Sequence, residues 1–243
     1  SSKSNKYIFK CFHAALNLFN KEDFETAYQS FFELADHGFA EAQINLGMMF
    51  EQGKGVPQDY KEAVRWYRLA ADQGLTKAQY NLGLMYEKGR GVSKDLKEAI
   101  KWYKLAAEQG VAEAQTSLAM MYDEGTGIPK DYDKAFKWYK LAAEQGDGTA
   151  QTNLGLMYEK GKGVSQNYEE AVKWYLLGAK QGRAISQYNL GLMYSNGQGV
   201  SQNYEEAVKW YQLAAEQGFT KARESLNLLL KEKVKENFTQ EPI

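Results

Sequence analysis

The chain has 243 residues, of which 44% are hydrophobic and 25% charged, with a formal net charge of −1. This is the balance of an ordinary folded protein, and it leaves no electrostatic footprint for nucleic acid or for an acidic membrane surface. No apolar run nears the ~18 residues that cross a bilayer, and the single Cys11 excludes a disulfide framework.

Taken in order, the chain opens on Ser1-Ser2 without an initiator Met, as a trimmed or mature form would. Any signal peptide therefore lies outside the sequence, and the compartment stays open. Residues 1–5 are polar and are expected to fray. Lys6 to Asn20 reads as a helix, with Phe9, Phe12, His13, Leu16 and Phe19 at three- and four-residue steps. A second helix is expected over Phe24 to Asp36. This pair, residues 6–38, lacks a Gly-x-Gly-Val insertion found later, so it reads as a shortened N-terminal cap.

Five full units follow, at 39–74, 75–110, 111–146, 147–182 and 183–218. The only tryptophans, Trp66, Trp102, Trp138, Trp174 and Trp210, stand 36 residues apart. A fixed period of this length marks a repeat architecture in which each unit contacts its neighbours along one axis. In each unit a helix A is expected to start near Ala42, Ala78, Ala114, Ala150 or Ser186. It should stop at Gly53, Gly89, Gly125, Gly161 or Gly197, since glycine accepts the left-handed conformation that ends helices. Helix B should open on Asp59, Asp95, Asp131, Asn167 or Asn203, whose side-chain oxygens can accept from free backbone N–H groups. Glu62, Glu98, Glu170 and Glu206 lie three residues on and complete a capping-box pattern, which Lys134 breaks in the third unit.

Gly47, Gly83, Ala119, Gly155 and Gly191 sit in mid-helix, where glycine costs about 1 kcal/mol against alanine. The repetition implies a packing reason: helix B of the same unit crosses there. Tyr67, Tyr103, Tyr139, Tyr175 and Tyr211 should fill the core of each unit, and the tryptophans should seal adjacent units. A last helix, about Thr220 to Asn237, should act as the C-terminal cap within 219–238, leaving 239–243 as a tail. Some thirteen helices and no strands make this an all-α solenoid, one domain over 1–238.

The pattern Ala-x-x-x-Leu-Gly-x-Met-Tyr-x-x-Gly-x-Gly-Val, then Asp/Asn-Tyr-x-x-Ala-x-x-Trp-Tyr-x-x-Ala-Ala-x-Gln-Gly, resembles the Sel-1-like repeat family of the tetratricopeptide superfamily. It recurs in register five times over 39–218. Ala119, Phe136, Gly178 and Ser186 depart from it. The resemblance implies a right-handed α-solenoid with the A helices lining the concave face. It also implies an adaptor or scaffold role, in bacteria often in signalling, envelope assembly or contact with host proteins. A periplasmic or secreted location then comes ahead of a cytoplasmic one.

The candidate partner-binding row is Asn45, Asn81, Asn153 and Asn189, with Ser117 and Ser225 at the matching places. In tetratricopeptide relatives an Asn there bonds a ligand's backbone, and an amide carries both the donor and the acceptor this needs. The alternative is that these amides hold neighbouring helices. Beside them lie Ile44 with Met48, Tyr80 with Leu84, Thr116 with Met120, Thr152 with Leu156, and Tyr188 with Leu192. Each pair is spaced i, i+4 on one helix face. They form either an exposed apolar stripe, which would mark an interaction site, or inter-repeat core. Glu51, Glu87, Asp123 and Glu159 read as a solvated charged face.

His13 and His37 have no second ligand at zinc spacing, so no metal site is expected. Cys11 reads as a small buried hydrophobe. Asn237-Phe238-Thr239 matches a glycosylation triplet, expected to be idle. No phosphate-binding glycine motif follows a strand. Some cysteine-rich members of the resembled family have been linked to β-lactam binding. This chain lacks their paired cysteines, and no Ser is followed three residues later by Lys. The reading is a non-enzymatic monomer with no cofactor and no direct membrane insertion. It binds a protein or peptide partner, or else serves as a structural spacer through its convex face or ends.

Overall fold

In the computed structural model the backbone is described for residues 2–239 and side chains for residues 6–231. The described residues form thirteen α-helices and no strand. The A-type helices are α1 (Ser2–Asn20), α3 (Ala40–Gln52), α5 (Thr76–Lys88), α7 (Ala112–Glu124), α9 (Gly148–Lys160), α11 (Ala184–Asn196) and α13 (Thr220–Thr239). The B-type helices are α2 (Phe24–Asp36), α4 (Tyr60–Asp72), α6 (Leu96–Glu108), α8 (Tyr132–Glu144), α10 (Tyr168–Lys180) and α12 (Tyr204–Glu216). The architecture is an all-α helical-repeat array with terminal caps. It divides into two compact units. One runs to Leu118 and takes in Thr126–Ile128; the other comprises Ala119–Gly125 and continues from Pro129.

Two boundaries differ from expectation. Residues 2–5 belong to α1. The A helices begin two residues before the Ala of the motif, because the link from helix B is so short. In the first unit, Gly38 turns left-handed at φ 88°, the Phe39 N–H bonds back to Leu34, and α3 starts at once. The glycosylation triplet falls in the last turns of α13, where side chains lie outside the described residues.

Every described B-helix cap of the five units forms as expected. The Asp59 carboxylate accepts from the N–H groups of Lys61 (2.9 Å) and Glu62 (3.1 Å), and Asn203 does the same for Glu205 and Glu206. The reciprocal half of the capping box does not form. The Asp59 N–H is already donated to the Phe50 carbonyl at 2.9 Å, and Asp95, Asp131, Asn167 and Asn203 use Tyr86, Tyr122, Tyr158 and Tyr194 in the same way. The freed glutamates turn to the base one turn on, as in Glu62–Arg65 and Glu170–Lys173. Lys134 therefore costs the third unit no cap: its N–H bonds Asp131 at 3.0 Å, and its ammonium pairs with the same carboxylate at 3.1 Å.

Tyrosine packs on glycine inside four of the five units, as the mid-helix glycines predict; the third has Ala119. A Cβ on Gly47 would lie 2.5 Å from the Tyr67 ring, and one on Gly83 would lie 2.7 Å from Tyr103. Tryptophan joins units: Trp66 of α4 meets Phe32 of α2 edge-on, and Trp102 of α6 packs with Val64 of α4.

Sequence reasoning missed a glutamine ladder. Buried Gln43 of α3 donates to the Ala35 carbonyl at the end of α2 and accepts from Gln73 at the end of α4 (2.8 Å). Gln79 with Gln109, Gln151 with Gln181, and Gln187 with Gln217 repeat the pairing. Each buried amide thus satisfies a terminal carbonyl of one B helix while holding the end of the next. The signal was present in the sequence, as a Gln following the motif Ala, or Ser186 in its place, in every full unit.

Between α1 and α2 the left-handed position falls on Glu22 (φ 63°), the only non-glycine residue with positive φ among the described residues. A Cβ there costs about 1 kcal/mol. Glu22→Gly is therefore expected to raise stability by about 0.5–1 kcal/mol, read as a higher denaturant midpoint with an unchanged slope.

Candidate partner-binding face

The A helices carry the candidate residues, and packing divides them. Ile44 is buried, with Met48 packed beside it; Leu156 and Leu192 are half-buried against their own repeat cores. The Tyr80 ring tilts against Tyr103 at 5.7 Å, and Tyr188 against Tyr211 at 5.9 Å. Leu84 is half-buried, whereas Met120 is 38% exposed.

The Asn row follows a rule of its own. The Asn45 amide donates to its own helix at the Glu41 carbonyl, 2.6 Å away. Asn81 stands beside the Tyr67 hydroxyl of the preceding repeat, and Asn189 beside that of Tyr175. Asn189 is only 8% exposed. Asn153 opens onto a cleft.

The acidic row is not a solvated face. Tyr67 donates to Glu51 at 2.6 Å, Tyr103 donates to Glu87, and Tyr175 donates to Glu159. Burial first, and the neighbouring carboxylate second, hold these hydroxyls protonated well above the usual phenol range. Glutamate, tyrosine and asparagine, or serine in the Asn place at Ser117, so make one polar line from a helix A through its helix B to the next helix A.

The cleft lies in the second unit and measures about 420 Å³. Met120, Thr149, Thr152, Asn153, Arg183 and Ile185 line it, and Ile185 is 49% exposed. Beneath it, the Thr152 hydroxyl bonds both the Gly148 carbonyl (2.8 Å) and the Ser186 hydroxyl (2.7 Å). Ser186 fits because residue 178 is glycine: a Cβ there would sit 2.4 Å from the Ser186 hydroxyl oxygen. Gly178→Ala alone should therefore cost about 2 kcal/mol by overpacking. Ser186→Ala alone should cost about 1 kcal/mol for its hydrogen bond. The double variant should stay within about 1 kcal/mol of the parent, a coupling that a double-mutant cycle by chemical denaturation reads directly. Additive losses would disprove the pairing.

Other candidates are placed plainly. His37 caps α2, its Nδ1 lying 2.7 Å from the Glu33 carbonyl. Cys11 is half-buried, in a cleft between α1 and α2, and is not a core residue. No group of three metal-ligating side chains occurs among the described residues, and no helix among them is long and apolar enough to cross a membrane.

Comparison with known proteins agrees with this anatomy. The Sel1 repeat family model matches residues 40–75, 76–111, 112–147, 148–182 and 184–219. The crystal structure of c5321, a protective antigen of uropathogenic Escherichia coli with an SLR fold, is 39% identical over 92% of this chain, with a TM-score of 0.86. The match spans only 50% of that longer protein. A Sel1 repeat protein from Oxalobacter formigenes is 36% identical, with 89% of this chain and 86% of that one covered and a TM-score of 0.82. Yeast Tom70, 16% identical over 97% of this chain and 48% of its own, shares the fold alone at a TM-score of 0.55. No curated protein matches the chain.

Proposed function

Because the chain belongs to the Sel1 repeat family, whose members are generally non-enzymatic protein-interaction modules, we propose that it is an adaptor that holds a partner peptide or helix on its A-helix face. The observation that carries this is the cleft at Met120, Asn153 and Ile185. There Met120 is exposed where Met48, Leu84, Leu156 and Leu192 are half-buried, and the exposed Ile185 is apolar where Glu41, Lys77, Glu113 and Lys221 are charged. Open apolar surface beside a free amide is what a peptide-binding face needs. Within the same compact unit, Leu156, Tyr188, Asn189 and Leu192 are the residues proposed to extend this face, and Asn45, Tyr80, Asn81 and Leu84 are their counterparts in the first compact unit. In a bacterial setting such an adaptor fits signalling, envelope assembly or contact with host proteins.

A second reading has its own support. Leu69, Leu105, Leu141, Leu177 and Leu213, equivalent residues of helix B in the five full units, are all exposed. They suit a spacer or assembly scaffold that works through the opposite face. Three baits separate the two: the parent, Asn81→Ala/Met120→Ala/Asn153→Ala, and Leu69→Glu/Leu141→Glu/Leu213→Glu, each checked for helicity. A partner lost only from the first variant supports the A-helix face. One lost only from the leucine variant supports the scaffold reading and removes the first.

A further inference from the structure

Near-identical repeats act as one another's controls, so a position that breaks the period needs a local reason. Four such breaks fall in the last two full repeats. Arg183 stands where Phe39, Leu75, Val111 and Phe219 are apolar and Asp147 is acidic. Gly148 replaces the Ala or Thr of the other units, Gly178 an Ala, and Ser186 an Ala; beside them Thr152, like Thr116, is a small residue where Tyr80 and Tyr188 carry rings. Separated by up to 38 residues in sequence, they converge in space. Thr152 bonds Ser186, Gly178 leaves Ser186 its room, and Gly148 leaves Arg183 its room, a Cβ there lying 3.0 Å from the Arg183 Nε.

The result of these breaks is the cleft. Threonine at 152 leaves out the ring bulk that Tyr80 and Tyr188 place against the core tyrosine of their own repeats. Arg183 is the only charged residue in its lining, and it pairs with no carboxylate among the described residues. Met120 and Ile185 supply the apolar walls, and Asn153 an amide.

We infer that this cleft is the specificity site of the chain and takes a peptide segment in which a large apolar side chain is followed directly by an aspartate or glutamate. The apolar side chain seats between Met120 and Ile185. The carboxylate meets the Arg183 guanidinium, which favours carboxylates by its planar set of donors. The inference rests on the reading of the A-helix face as the working surface, and it adds the chemistry of the partner.

The test uses the full chain labelled at its methionine methyl groups. It is titrated with acetyl-Gly-Phe-Asp-Gly-amide and, separately, with acetyl-Gly-Phe-Lys-Gly-amide. The Asp peptide should shift the Met120 methyl resonance with a Kd about tenfold below that of the Lys peptide, and added salt should narrow the difference. Arg183→Glu should reverse the preference, and Thr152→Tyr should abolish the shift by refilling the cleft. Equal affinity for the two peptides, no Met120 shift, or an unchanged preference in Arg183→Glu would overturn the inference. Those failures leave a partner captured through the A-helix face untouched. Conversely, a Met120 shift with capture lost only in the leucine variant would sink the adaptor reading and keep the cleft.

Discussion

Gly91→Ala is expected to lower stability by about 2–4 kcal/mol. Gly91 follows α5 in a left-handed conformation at φ 70°, and a Cβ there would lie 2.1 Å from the carbonyl oxygen of Tyr60, the first residue of α4. Two costs add: about 1 kcal/mol of backbone strain and 1–3 kcal/mol, roughly, for an overlap with backbone that cannot rotate away. Gly55, Gly163 and Gly199 touch Phe24, Tyr132 and Tyr168 in the same way. This glycine is therefore where each repeat's loop rests on the previous helix B. Gly74→Ala is the control. Its φ is 87°, but a Cβ there meets nothing within 4 Å, so only the strain of about 1 kcal/mol should appear. Because a repeat array is held by nearest-neighbour interfaces, Gly91→Ala should also broaden the denaturation curve or split it. Equal losses in the two variants would show that the loop contact carries no weight.

Raising the pH above about 10 should unfold the protein steeply. Tyr67, Tyr103, Tyr139 and Tyr175 are fully buried. Burial, then adjacent carboxylates, keep their hydroxyls protonated far beyond the usual range, and Tyr211 is pushed up to about 12 by burial. In the unfolded chain the same groups ionise near pH 10, roughly. The folded state therefore holds more protons above that pH. The stabilisation is whole below the unfolded pKa and is lost as pH rises toward the folded one. Each such tyrosine removes about 1.4 kcal/mol per pH unit, so four of them rival the total stability of a typical domain within one to two units, roughly. Tyrosinate absorbance and helix signal, followed together against pH, check this. The exposed tyrosines should ionise first, and the buried set should ionise only as the helices melt. Tyr103→Phe should make the loss shallower by one proton. If all 17 tyrosines ionised in one step with the helices intact, the account would be wrong.

The sequence by itself determined the elements. The period, the helix pairs, the Asp and Asn caps and the tyrosine–glycine crossings were all legible, because the interactions behind them are local or repeat identically. An N-cap oxygen meets N–H groups two or three residues away, and a mid-helix glycine signals a neighbour wherever it recurs. Tertiary structure alone decided what each polar side chain touches. Asp59 looked ready for a capping box, but its N–H had gone to Phe50 across the loop. Glu51 and Glu87 looked solvated, but each lies 16 residues before a tyrosine that the helix crossing brings onto it. The glutamine ladder joins residues 30 apart. An amide or carboxylate carries no sign of its partner in its own residue type, since many donors and acceptors would satisfy it. Only the distance between packed helices selects one. The cleft follows the same logic. Thr152, Gly178, Arg183 and Ser186 were visible as residues, two of them as departures from the motif, but only packing α9, α10 and α11 together makes them neighbours.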